Sequence, residues 1–175
     1  MAERGERILE SCEPPFWGRR DRANPNPLDR RYRRTEREDA AGSKSVFQIG
    51  GAGAVGTGSI RGMPHLKTLS DGGFSVWPLA AGRPLVIEIY PRLLTGSVRK
   101  GRWRERHAYL FQHFGDQPQA LLERAAGSQD AFDAAVSALR MAEHSAELQT
   151  LSPLDDPRYR LEGRIWRPSD GATPA

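Results

Sequence analysis

One cysteine, Cys12, stands among 175 residues, which excludes an internal disulfide and any zinc site built on thiolates. Long apolar runs are lacking as well. Nothing approaches the roughly 20 consecutive apolar residues of a membrane-spanning helix, and no stretch has the form of a secretory leader, so a soluble, cytoplasmic chain is expected. Apolar residues make up only 38% of the sequence, while 18 Gly and 13 Pro point to a loop-rich chain or a partly disordered one. The excess of charge is small: 26 Lys and Arg against 22 Asp and Glu permits a nucleic-acid partner without requiring one. The length suits one ordinary domain with a real core.

Residues 1–45 offer almost no periodic apolar face, and Phe16-Trp17 is their first aromatic anchor; this segment reads as a charged, loop-rich stretch or lid. Its run Arg30-Arg-Tyr-Arg-Arg34 is surrounded by Asp29, Glu36, Glu38 and Asp39, which cancel most of its field. Ser45–Ile49 then reads as a strand, followed by a glycine segment with the pattern Gly51-x-Gly53-x-x-Gly56 and an apolar-periodic helix through Ile60, Met63, Leu66 and Leu69. A dinucleotide pyrophosphate would use such a loop, and this is the only ground for an oxidoreductase. Two features oppose it: Asp71 lies in a turn rather than at the end of a second strand, and Pro64 should interrupt the helix. The plainer reading is a glycine turn over a groove.

Phe74–Trp77 reads as a short strand. Pro84-Leu-Val-Ile-Glu-Ile-Tyr-Pro-Arg92 reads as a central strand buried on both faces, with Glu88 in its middle. A buried carboxylate is costly alone, so Glu88 needs an arginine, a hydrogen-bond network or a metal ion. Beyond it Arg92, Arg99, Lys100, Arg102, Arg104 and Arg106 face one carboxylate, Glu105, with Trp103 and Tyr109 interleaved. Arginines on phosphates and rings on bases would make a nucleic-acid grip; the competing reading is a solvated helix face with both rings in the core. A short helix over 118–126 closes at Gly127. Ser128 caps the next one, whose core stripe is Phe132, Ala135, Val136 and Leu139. Asp130 and Asp133 sit on its flank, either as partners of the helix dipole or as ligands. Residues 161–168 read as an edge strand, and 169–175 as a disordered tail.

The segments Val86-Ile-Glu-Ile-Tyr-Pro91, Asp130-Ala-Phe-Asp-Ala-Ala-Val-Ser-Ala-Leu139 and Glu162-Gly-Arg-Ile-Trp166, in that order, resemble a family of uncharacterised proteins predicted to be RNase-H-like nucleases. The resemblance spans residues 13 to 168, nearly the whole chain. It implies an α/β domain over 46–168, a mixed sheet flanked by helices. In it Glu88, Asp130 and Asp133 would hold Mg²⁺ or Mn²⁺ as catalytic ligands, with two ions about 4 Å apart cleaving a phosphodiester, and Arg106 would reach the scissile phosphate. The family's opening strands, with their aspartate, have no counterpart here. Asp21, Asp29 and Asp39 lie in charged loops, so an N-terminally shortened chain is expected, with a sheet edge open to self-association. Two functions follow: a metal-dependent nuclease, or an inactive, nucleic-acid-binding module without a working metal centre.

Overall fold

The structure, a computed structural model, describes residues 2–19, 31–38 and 42–169. In chain order its elements are α1 (Ala2–Ser11), α2 (Arg34–Glu38), α3 (Gly56–Asp71), β1 (Ser75–Val76), β2 (Leu85–Val86), β3 (Glu88–Ile89), α4 (Pro91–Thr95), α5 (Trp103–His113), α6 (Gln119–Ala126), α7 (Gln129–Glu143), α8 (Ser145–Thr150), α9 (Pro157–Glu162) and β4 (Ile165–Trp166). Helix and strand are mixed, with helix dominant and each strand two residues long. No described helix is long and apolar enough to cross a membrane. The chain divides into two compact units: the stretches up to Glu88 with Ser152–Trp166, and Ile89–Leu151 with the residues from Arg167. Asp21, Asp29, Asp39 and residues 170–175 lie outside the described residues.

In the first unit α1 packs on α3 over a small core of Leu9, Cys12 and Ile49, with Phe16 and Ile60 against it. Ser45–Ile49, expected as a strand, is instead a turn whose one ladder contact is a parallel bridge between Trp17 and Gln48. The glycines explain why the chain can come so close there. A Cβ on Gly50 would stand 2.2 Å from the Gly18 carbonyl oxygen, and one on Gly56 would stand 2.2 Å from that of Val46. Backbone-to-backbone approach of this kind accounts for Gly50 and Gly56 without a ligand. Pro64 does not end α3, as the sequence argument required; the helix passes through it at the loss of one backbone donor. Asp71 closes that helix, held by Lys67 at 2.7 Å. β1 and β2 pair in parallel, Ser75 with Leu85 and Val76 with Val86.

The central strand is not continuous. β2 and β3 are separated at Ile87, and the run from Leu85 to Tyr90 is half-buried rather than enclosed, with Glu88 exposed. Pro91 then starts α4, because a proline is suited to the first helical position. Helices α5, α6 and α7 of the second unit enclose a larger core of Tyr109, Leu110, Phe114, Leu122, Ala125, Ala126, Phe132 and Val136. Tyr109 meets Phe132 edge to face, with ring centroids 5.6 Å apart. The Ser128 cap forms as its position implied: its hydroxyl accepts from the Ala131 amide at 3.0 Å. Gly127 ends α6 without the left-handed conformation, at φ −62°.

Candidate functional site

Glu88 has the partner its chemistry demanded, and it is an arginine. In the first unit Arg33 donates from Nη2 and Nη1 to the two Glu88 oxygens, at 2.6 and 2.9 Å. The same guanidinium donates from Nε to Glu36 at 3.1 Å and from Nη1 to the Glu162 carbonyl at 2.9 Å. Arg33 is 8% exposed and Glu36 3%, whereas the Glu88 side chain is 41% exposed. Burial works against the charged guanidinium, but the hydrogen bonds and charges of Glu88 and Glu36 outweigh it, so the pKa of Arg33 lies above its ordinary value. Beyond Glu162, Gly163 takes φ +73° with Arg33 and Glu88 beside it, a conformation that suits glycine.

Arg34 repeats the pattern at the surface of the same unit. It pairs with Glu38 at 2.6 Å and with Asp156 at 2.5 Å, and lies 5.0 Å over the Tyr159 ring. Asp156 also caps α9, accepting from the Arg158 amide. That backbone hydrogen bond, with Arg34 in support, holds the Asp156 carboxyl below its ordinary range.

In the second unit the two aspartates of α7 differ. Both Asp133 oxygens are held by Lys100 Nζ at 2.7 Å, while Asp130 stands exposed in the first turn. The two border one groove with Ile89, Pro91, Ser137 and Met141. Among the described residues no three His, Cys, Asp or Glu side chains form a group able to hold a metal ion. Glu88 and Asp133 each already hold a cationic side chain in their own unit.

The six expected nucleic-acid contacts separate into internal and outward-facing groups. Arg106 is 6% exposed; it donates from Nε to the Ala126 carbonyl at 2.9 Å and from Nη1 to the Lys100 carbonyl. It therefore ties α6 to the loop before α5, and its guanidinium is turned inward rather than to the surface. Lys100 is engaged by Asp133, and Arg92 donates to the Val98 carbonyl at 3.1 Å. Arg102 lies 4.0 Å from Glu105, too far for a tight pair. Arg99 and Arg104 are exposed and form no ion pair among the described residues. Beside them Trp103 is 53% exposed, whereas Tyr109, its suggested companion, is core. Sequence reasoning missed two further rings, His107 and Phe111, which follow Trp103 at four-residue steps; that spacing was the signal available. Compared with known protein families, curated proteins and solved structures, the chain matches none.

Proposed function

We propose that this chain is a nucleic-acid-binding module whose contact surface is the start of α5. The observation that carries this reading is the exposed Trp103 with Arg99 and Arg104 close to it in sequence, two exposed cations that form no ion pair among the described residues. Surface arginines without internal partners attract a polyanion by releasing its counterions, and an exposed indole adds sequence-tolerant stacking on a base. The acids support binding without cleavage, because Arg33 and Lys100 supply the positive charge that Glu88 and Asp133 need. The test is fluorescence anisotropy of a labelled oligonucleotide over a salt series. Binding that weakens with salt, with no cleavage in Mg²⁺ or Mn²⁺, is expected. No binding at low salt would end the proposal.

A second reading, a metal-dependent nuclease with an RNase-H-like fold, is favoured by one observation: Asp130 and Asp133 edge the same groove. It requires Asp133 to exchange Lys100 for a metal ion. Cleavage in Mn²⁺ that is lost in Asp133→Asn would place this reading first.

A further inference from the structure

We infer that the outer face of the Trp103 indole is a subsite for one unpaired nucleobase, at a strand end or overhang, whose phosphates lie against Arg99 and Arg104. This rests on the nucleic-acid reading above and names the ligand for that surface. Trp103, His107 and Phe111 stand four residues apart along α5, so they share one face of the helix. Their rings form a column. The Trp103 and His107 centroids are 4.8 Å apart with planes at 39°, and those of His107 and Phe111 are 4.2 Å apart at 19°.

A ring offers two faces to a stacking partner. His107 uses one on Trp103 and the other on Phe111, so it has none for a base. Trp103 tilts against His107 on one side only among the ring contacts of the described residues, and it is 53% exposed. Phe111, at the opposite end, is half-buried and about 12 Å further along the helix from the cations. A surface that tracks a long strand presents successive separate ring platforms, one for each base. This column presents one open platform beside the arginines, and therefore takes one base.

The same geometry selects against an intact duplex. Bases inside a helix have both faces stacked, so only a terminal, extruded or single-stranded base can extend the column. Covering the indole with a base also removes exposed apolar surface, a gain that a phosphate contact alone does not give. Arg104 follows Trp103 directly, and Arg99 is brought back towards it by a turn in which the Arg102 amide donates to the Arg99 carbonyl at 2.9 Å.

The experiment compares labelled probes against the full chain by anisotropy at fixed salt: oligothymidine, an abasic oligonucleotide of the same length, a blunt duplex, and that duplex with a short overhang. Oligothymidine and the overhang duplex should bind about tenfold more tightly than the abasic strand and the blunt duplex. Trp103→Ala should bring the affinity for oligothymidine down to that for the abasic strand, whereas Trp103→Phe should keep most of the advantage. Far-UV circular dichroism of both variants checks that the fold is retained. Equal affinity for abasic and base-bearing strands, or for blunt and overhang duplexes, overturns the base subsite while leaving the phosphate reading standing. Absence of salt-sensitive binding to every probe overturns both.

Discussion

Two arginine-rich stretches, Arg30–Arg34 and Arg99–Arg106, look alike as strings of letters, yet the two units use them in opposite ways. In the first, Arg33 and Arg34 turn to Glu36, Glu88, Glu38 and Asp156 and act as internal fasteners. In the second, Arg106 is equally internal, but Arg99 and Arg104 face outward beside an exposed tryptophan. Cation count therefore says little about a polyanion partner; what matters is whether carboxylates lie within reach. The units also differ in what holds them. One relies on a charged network and a small apolar cluster, the other on a core of eight buried residues.

That contrast can be broken by substitution. The largest effect is expected from Phe132→Ala, which empties a fully buried ring position and should cost about 4 kcal/mol in denaturant unfolding. Next comes Arg33→Met, which leaves Glu36 buried without its cation and should cost about 3 kcal/mol. If it costs no more than an exposed pair, under about 1 kcal/mol, the first unit is not held by charge and the contrast fails.

A smaller effect is expected at Asp156. Its carboxyl is lowered in the fold, so it stabilises the protein above the ordinary carboxylate pKa of about 4, and that stabilisation is lost as pH falls through the lowered value. Thermal melts should show Asp156→Asn less stable than the native chain at neutral pH, with the gap closing in acid. The smallest stability effect belongs to Arg99→Gln and Arg104→Gln, within about 0.5 kcal/mol. Each should nonetheless reduce the salt dependence of nucleic-acid binding by about one phosphate contact.

What could be read in the sequence was local. Ser128 as a cap, the stripe through Phe132 and Val136, and the need of Glu88 for a partner follow from short-range rules, and all three are present. What could not be read depended on distant residues. The run around Glu88 has the β-branched composition of an enclosed strand, but its burial depends on neighbours that composition does not specify. Arg33 lies 55 positions from Glu88, and no spacing rule connects them. Arg106 sits in the same charged run as Arg104, and only the fold separates the inward side chain from the outward one.

The reach of Arg33 to the Glu162 carbonyl, and of the Ile165 amide to the Thr35 hydroxyl at 2.9 Å, sets an order of events during synthesis. The first unit joins early and late parts of the chain, so it cannot complete its polar network until residues 152–166 have left the ribosome. Residues 89–151, made in between, can assemble their helical core beforehand. Arg33 and Thr35 thus wait for their last partners, Glu162 and Ile165, while the middle of the protein has all the residues of its core.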